Sequence, residues 1–159
     1  MNSKQIILVD IDNSISATNE KLKEVVPGFT TERYPFPFPP HFFEESSIFD
    51  DVKPVKGAME KLKEWHDKGH FIYYVTARDS SSFHRTVRWL KKHGFPSSLV
   101  ICSKNKQRVA SIIGATIAVD DAPNEIEQLK SVVARVLVPA HDYNKQYENR
   151  FFNWSDVAI

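Results

Sequence analysis

Five short apolar runs are spaced along the chain, and each is rich in Val, Ile, Tyr or Phe. None of them alternates strictly between polar and apolar positions, which is typical of parallel strands covered on both faces. The runs that we predict to be strands are residues 6–9, 71–75, 99–102, 116–119 and 135–138.

Between these runs, apolar residues recur at the spacing of amphipathic helices. The helical triplets are Ala58, Leu62 and Trp65, then Phe83, Val87 and Leu90, then Ile126, Leu129 and Val133, and residues 106–113 form a shorter amphipathic piece. The sequence Asp121-Ala122-Pro123 predicts a helix start, with Asp121 as the N-cap and Pro123 in the first turn. Alternating strands and helices predict one α/β domain over residues 1–159: a doubly wound, Rossmann-like, five-stranded parallel sheet in the order 3-2-1-4-5.

One stretch interrupts this alternation. Between Asp12 and Val55 lie six of the nine prolines and six of the eleven phenylalanines. Proline prevents a continuous helix, and a high aromatic content is not typical of a disordered linker. We therefore predict a small cap insertion after the first strand, at approximately residues 14–52, that folds over the strand ends. Its candidate substrate lid consists of Phe36, Phe38, Phe42 and Phe43, and only one or two of the six phenylalanines in the insertion are expected to touch substrate.

Composition narrows the class of protein. The 159 residues are 42% hydrophobic and 26% charged, and the formal net charge is +1. No broad positive field favours stable nucleic-acid binding, and no apolar run approaches the ~20 residues that cross a membrane. The first apolar run is too short for a secretory signal, and Cys102 is the single cysteine. These features predict a cytoplasmic protein without an internal disulfide.

Candidate chemistry gathers where the strands end, because ligands bind at the carboxyl ends of strands in such sheets. The residues at these ends are Asp10 and Asp12 after the first strand, Thr76 and Arg78 after the second, Lys104 and Lys106 after the third, and Asp120 and Asp121 after the fourth. Clustered carboxylates repel one another unless a cation lies among them, and Mg²⁺ prefers such oxygen ligands. A hydroxyl and a lysine beside them suit the oxygens of a phosphate, so the set predicts Mg²⁺-dependent phosphoryl transfer.

The same residues resemble the four motifs of the haloacid dehalogenase (HAD) superfamily. Asp10-x-Asp12-x-Ser14 is similar to the first motif, Thr76 to the second, a lysine near residue 106 to the third and Asp120-Asp121 to the fourth. The resemblance implies that Asp10 is the nucleophile, forming an aspartyl-phosphate, and that Asp12 is the general acid and base.

The resemblance also implies ligands for the metal and the phosphate. Mg²⁺ would be held by Asp10, Asp12 through its backbone carbonyl, and Asp121, with Asp120 as a ligand or a support. Thr76 and Lys106 (or Lys104) would bind the phosphate, and Lys106 is preferred because it stands eight residues before Gly114. Arg78 would also bind the phosphate, although pairing with Asp79 or another acid is an equal alternative.

The C-terminal stretch is similar to the tail of the 5′(3′)-deoxyribonucleotidase family. The similar residues are His141-Asp142-Tyr143-Asn144, Arg150 and Asn153-Trp154-Ser155-Asp156. This resemblance implies a small phosphorylated substrate, namely a (deoxy)nucleoside monophosphate. A second resemblance, to the 3′-phosphatase of phage-type polynucleotide kinases, rests on Thr76-Ala77-Arg78-Asp79 and on Arg85, Arg88 and Trp89. A 3′-phosphatase of nucleic-acid ends and a phosphatase of another metabolite therefore stay open. The sequence leaves the oligomeric state open, with a homodimer as one option.

Overall fold

The computed structural model describes residues 3–30 and 36–159. Its strands form one sheet in the order β3-β2-β1-β4-β5-β6, and every neighbouring pair is parallel. The strands are β1 (Ile6–Val9), β2 (Phe71–Thr76), β3 (Val100–Cys102), β4 (Ile117–Val119), β5 (Arg135–Pro139) and β6 (Arg150–Phe151). The predicted Rossmann-like order of the first five strands is confirmed. The two-residue β6 was not predicted, because it is too short to show a strand pattern.

Seven α-helices connect and cover the strands within the described residues. They are α1 (Thr18–Val25), α2 (Pro40–Glu45), α3 (Ile48–Asp51), α4 (Ala58–Asp67), α5 (Phe83–Lys92), α6 (Lys106–Ile113) and α7 (Pro123–Leu129). Two details of the predicted last helix are wrong. The N-cap of α7 is Ala122, not Asp121, because the Asp121 carboxylate accepts a hydrogen bond from Ser14 instead of capping the helix. Val133 lies beyond the end of α7, where it is buried in the turn before β5.

The sheet has a hydrophobic core on each face, as the strand patterns predict. Along β1, Ile7 and Val9 pack into one core with α4 and α5, while Leu8 packs into the other with α6 and α7. Trp154, in the C-terminal tail, joins the first core beside Trp65. Because both faces are filled, the polar side chains that follow the strands gather at the carboxyl edge.

A third apolar cluster lies between β1 and α4 and belongs to the cap. Its buried members are Leu22, Phe43, Ile48 and Phe49, and the partly buried side chains packed against them include Phe29, Phe36, Phe38 and Phe42. The aromatic residues of the predicted insertion thus form a small core of their own. Residues 31–35 of that insertion lie outside the described residues, and its predicted extent, 14–52, stays a prediction. Over the two described stretches, no helix combines the length and apolarity needed to cross a membrane.

Candidate active site

Three aspartates meet where β1 and β4 end side by side in the sheet. Asp10 follows β1, and Asp120 and Asp121 follow β4, whose register places Val9 opposite Val119. One carboxylate oxygen from each of the three aspartates lies within 4.8 Å of the others, and all three residues are buried. The parallel pairing of adjacent strands is therefore sufficient to assemble this acid cluster.

Lys106 supplies positive charge to the cluster from the first residue of α6. Its Nζ donates to Asp10 Oδ1 at 2.6 Å and to Asp120 Oδ2 at 2.7 Å, and the side chain is fully buried. Lys104 is exposed and lies instead on the wall of a neighbouring cavity. Of the two lysines that the sequence left open, only Lys106 contacts the acid cluster.

Ser14 links the two strand ends. Its hydroxyl lies 3.0 Å from Asp10 Oδ2 and 3.1 Å from Asp121 Oδ1, so it can donate its one proton in a hydrogen bond to either carboxylate. The loop turns back at Asn13, a left-handed residue with φ 62°, a conformation that asparagine tolerates better than most residues. This turn brings Ser14 to within hydrogen-bond distance of Asp10.

The cluster contains three carboxylates and one lysine, and the pKa values of two of its aspartates are raised. Burial raises the pKa of Asp120 to about 7, with a further increase from Asp10 and against the lowering effect of Lys106. Burial and the charges of Asp10 and Asp120 likewise raise the pKa of Asp121 well above its usual value. An all-oxygen donor set with unmet negative charge fits a hard divalent cation such as Mg²⁺, and Asp10, Asp120 and Asp121 are the residues that would hold it.

Asp12 lies apart from this cluster, in a buried ion pair with Arg78. The guanidinium donates from Nε to Asp12 Oδ2 at 2.9 Å and from Nη2 to Oδ1 at 2.8 Å, and Thr18 donates to Oδ1 at 2.6 Å. Burial opposes ionisation of Asp12, but the charge and hydrogen bonds of Arg78 outweigh it and hold its pKa below the usual value. In the unliganded chain, Asp12 is therefore a carboxylate and Arg78 already has an anionic partner.

Arg78 also ties the cap to the rest of the domain. Its Nη1 donates to Thr86 Oγ1 at 3.0 Å, and its guanidinium carbon lies 3.6 Å from the centre of the Phe49 ring. The Thr76 hydroxyl, at the end of β2, accepts from the Arg78 backbone N–H at 3.2 Å. Arg78 thus connects β2, α5, the cap and Asp12.

A cavity of about 410 Å³ opens between the cap and the strand ends. Aromatic side chains form its cap wall, and polar side chains form the opposite one. Its lining includes Phe36, Phe38, Phe43 and Phe49 from the cap, with Asp12, Arg78, Lys104, Asn124 and Glu125 from the domain. Phe42 is not among the lining residues and stacks behind Phe38, with 4.5 Å between ring centres. Phe49 was not a predicted lid residue, because no local pattern separates it from the other phenylalanines.

The C-terminal tail contacts the loops after β1 and β4, which carry the acidic residues. The sequence did not predict these contacts. His141 Nε2 lies 2.6 Å from the Asn13 carbonyl, and Trp154 Nε1 donates to the Ser14 carbonyl at 3.1 Å. Tyr143 donates to Asp121 Oδ2, and Asn144 Nδ2 donates to the Asp121 carbonyl at 2.9 Å. The similarity of this tail to nucleotidase tails was the available signal, but it assigned no partner to any of these side chains.

Solved structures of other proteins share the fold of this chain. A HAD-superfamily hydrolase from Ehrlichia chaffeensis aligns with a TM-score of 0.57 and 13% identity, covering 98% of this chain and 95% of that one. The class C acid phosphatase from Bacillus anthracis aligns with a TM-score of 0.60 and 16% identity, covering 94% of this chain and 66% of that one. Together with the family match of residues 38–159, this fold and the acid cluster at the strand ends assign the chain to the HAD superfamily.

The family within that superfamily follows from the sequence comparison. Residues 38–159 match the family described as 5′ nucleotidase, deoxy (pyrimidine), cytosolic type C protein. The chain belongs to this family. The matched residues include Thr76, Lys106, Asp120 and Asp121, whereas Asp10 and Asp12 precede them.

Three similar proteins can be compared with this chain, and two of them have nucleotidase names. A protein of Oceanobacillus iheyensis named "Putative nucleotidase" is 29% identical over 119 residues, which cover 70% of this chain and 63% of that protein. A "Putative nucleotidase" of Bacillus cereus is 28% identical over 124 residues, covering 71% of this chain and 66% of that protein. Human membrane-associated phosphatidylinositol transfer protein 1 is 38% identical over 71 residues, which cover 44% of this chain and 6% of that protein. The chain thus spans less than two thirds of the length of these relatives.

Proposed function

We propose that this chain hydrolyses phosphate monoesters with the carboxylate of Asp10 as the nucleophile and Mg²⁺ as the cofactor. The observation that carries the proposal is the setting of Asp10, held by Lys106 and Ser14 beside two more buried carboxylates. When bound, the ion neutralises the negative charge that otherwise keeps a carboxylate and a phosphate apart. Lys106 adds a second positive charge from the protein side.

The reaction proceeds in two displacements. The Asp10 carboxylate forms a bond to phosphorus while the bond from phosphorus to the ester oxygen breaks, and Asp12 gives its proton to the leaving oxygen. A water molecule then attacks the phosphorus of the aspartyl-phosphate and passes a proton to Asp12, while the bond from phosphorus to the Asp10 oxygen breaks. Inorganic phosphate leaves, and both carboxyl groups return to their starting states.

Asp12 must change partner before it can act as an acid. Its pKa is low while Arg78 is paired with it, and both side chains line the cavity. A phosphate that enters the cavity gives Arg78 a second anion to pair with. The interaction of Arg78 with Asp12 then becomes weaker, so the Asp12 carboxylate takes up a proton more readily. Arg78 would then bind the substrate phosphate, together with the Thr76 hydroxyl and Lys106.

The substrate is a nucleoside monophosphate, with a deoxynucleotide as the first choice. Family membership and the aromatic wall of the cavity support this choice. Stacking of a base on an aromatic ring contributes ~1–3 kcal/mol, which corresponds to a preference of about 5- to 150-fold over a phosphate without a base. Few polar side chains lie on the cap wall, so we expect several bases to be accepted.

Catalytic efficiency on three substrates tests this proposal. A deoxynucleoside monophosphate should be hydrolysed faster than ribose 5-phosphate or a 3′-phosphorylated oligonucleotide, and an Asp10→Asn variant should hydrolyse none of them. Equal efficiency on ribose 5-phosphate would mean that the cap does not recognise a base. Activity that persists with EDTA, or in the Asn variant, would refute the metal and the nucleophile respectively.

The proposed setting is the cytoplasm, in line with the cytosolic type in the family's description.

The contacts of two arginines count against the alternative function, a 3′-phosphatase of nucleic-acid ends. Of the three arginines suggested for it, Arg78 is paired with Asp12, and Arg85 donates to the Phe43 and Ser46 carbonyls of the cap at 2.8 and 2.9 Å. If the oligonucleotide were nevertheless the best substrate, Arg88 would be the first residue to mutate.

A further inference from the structure

The Asp121 carboxylate is fixed by hydrogen bonds from two separate parts of the chain. Ser14, in the loop after β1, lies 3.1 Å from Oδ1, and Tyr143, in the tail after β5, donates to Oδ2. The Asp121 backbone is held as well, because Asn144 Nδ2 donates to its carbonyl at 2.9 Å. The side chain therefore has little freedom to rotate away from Asp10.

The Tyr143 ring is itself held in place. It lies in a short 3₁₀ turn, Asp142–Asn144, and stacks nearly parallel on His141, with 5.0 Å between ring centres and 6° between planes. His141 contacts the Asn13 carbonyl at 2.6 Å, so the stacked rings of His141 and Tyr143 are attached to the loop that carries Asp10 and Asp12.

We propose that Tyr143 is a positioning residue that orients the Asp121 carboxylate for a divalent cation. The inference rests on the proposed Mg²⁺ site. Three carboxylates share a single lysine, so they still repel one another, and a donor on Oδ2 opposes rotation of Asp121 away from the cluster. Groups that hold a metal ligand in this way commonly change metal affinity by about 10- to 100-fold when they are removed.

The chain offers a matched pair of variants for the test. Tyr143→Phe removes the hydroxyl and keeps the ring that stacks on His141. Tyr147→Phe removes a hydroxyl in the same tail that donates to Glu127 Oε1 at 2.7 Å. Mg²⁺ affinity of the full chain is measured by calorimetric titration, without substrate, at a pH above 7 where more of the carboxyl groups are ionised.

We expect Tyr143→Phe to bind Mg²⁺ about 10- to 100-fold more weakly than the wild type, and Tyr147→Phe to bind it as tightly as the wild type. Equal affinity in wild type and Tyr143→Phe would overturn the inference while leaving the Mg²⁺ site intact. Equal weakening in both variants would also overturn it, since the effect would then come from a general loosening of the tail. Absence of binding to the wild type would refute the proposed metal site itself.

A second measurement observes Tyr143 directly. In the full chain labelled with 3-fluorotyrosine, saturating Mg²⁺ should shift the ¹⁹F resonance of Tyr143 and leave that of Tyr147 in place, with each resonance assigned from its own Phe variant. A tyrosine spectrum that Mg²⁺ leaves unchanged would contradict coupling between Tyr143 and the ion.

Discussion

At the scale of single residues, we propose two roles for Asp12, one in catalysis and one in stability, which a pair of variants can separate. Asp12→Asn should lower turnover by about 10²- to 10⁴-fold, because the variant has no carboxyl proton to exchange with the leaving group or water. It should also lower the free energy of unfolding by up to about 3–5 kcal/mol, because Arg78 remains buried without its anion. Steady-state kinetics measures the first effect, and denaturant unfolding measures the second.

The double variant Asp12→Asn/Arg78→Met is the control for this pair. It removes the unpaired charge, so it should recover much of the lost stability and none of the lost turnover. If Asp12→Asn alone hydrolysed substrate at the wild-type rate, another group would be the acid. If it unfolded like the wild type, the Asp12–Arg78 pair would contribute no net stability.

In the candidate site, the positions of the residues can be predicted from the ends of the strands, but the directions of their side chains cannot. The positions of Asp10, Asp120 and Asp121 follow from the rule that parallel strands deliver their next residues to one edge. The direction of each side chain does not follow, because partners far apart in sequence determine it. Tyr143 reaches Asp121 across 22 positions, and Arg78 reaches Asp12 across 66.

At the scale of elements, we propose that the cap is the part of the fold that selects the substrate. Phe38 lines the cavity, whereas Phe42 stacks on it from behind and does not. Phe38→Leu should therefore reduce the preference for a deoxynucleotide over ribose 5-phosphate by up to the ~1–3 kcal/mol of one stacking contact. The ratio of kcat/KM values for the two substrates measures this change.

Phe42→Leu is the matched control, since it makes the same substitution in the same cluster without altering the cavity wall. Its ratio should stay near the wild-type value. Equal loss in both variants would indicate that cap stability, not contact with a base, sets the preference. An unchanged ratio in Phe38→Leu would assign the base to another wall of the cavity.

The elements differ in how far the sequence predicts them, and the differences have physical causes. β1 and α6 begin and end as predicted, because an apolar run or an amphipathic period is uninterrupted within each. The start of α7 was misassigned since Asp121 suits an N-cap locally, yet its carboxylate is bound by Ser14 and Tyr143. Long-range hydrogen bonds outweighed the local preference there.

At the scale of the whole molecule, proton uptake, cation binding and stability are linked. The pKa of Asp120, about 7 in the metal-free chain, exceeds its usual value of 3.8. The folded chain thus binds more protons at this group than the unfolded chain does, and the contribution of Asp120 to the free energy of unfolding falls as the pH rises from about 4 to 7. Mg²⁺ needs the ionised carboxylates, so the stabilisation it provides should grow over the same range.

Thermal unfolding with Mg²⁺ and with EDTA, compared at pH values below and above that range, measures this linkage. The difference between the two midpoints should be larger above pH 7. Asp121→Asn should abolish most of the difference at either pH, since it removes a ligand. A difference that is independent of pH would contradict cation binding at these buried acids.

The global topology was the most predictable feature. Alternating strands and helices allow few arrangements once crossovers are right-handed, and the observed order of β1 to β5 is one of them. The cap was predictable only as an aromatic insertion, because its packing depends on contacts such as that of Arg85 with the Phe43 carbonyl. The shape of the cavity, and with it the substrate, depends on that packing.

The central claim is that Asp10 becomes covalently phosphorylated during turnover. Borohydride reduces an aspartyl-phosphate to homoserine, so the chain is quenched with borohydride during steady-state hydrolysis of a deoxynucleoside monophosphate with Mg²⁺, digested and analysed by mass spectrometry. Homoserine should appear at position 10, and only when substrate and Mg²⁺ are both present. Turnover without modification at position 10, or with modification at Asp12, Asp120 or Asp121 instead, would contradict the account.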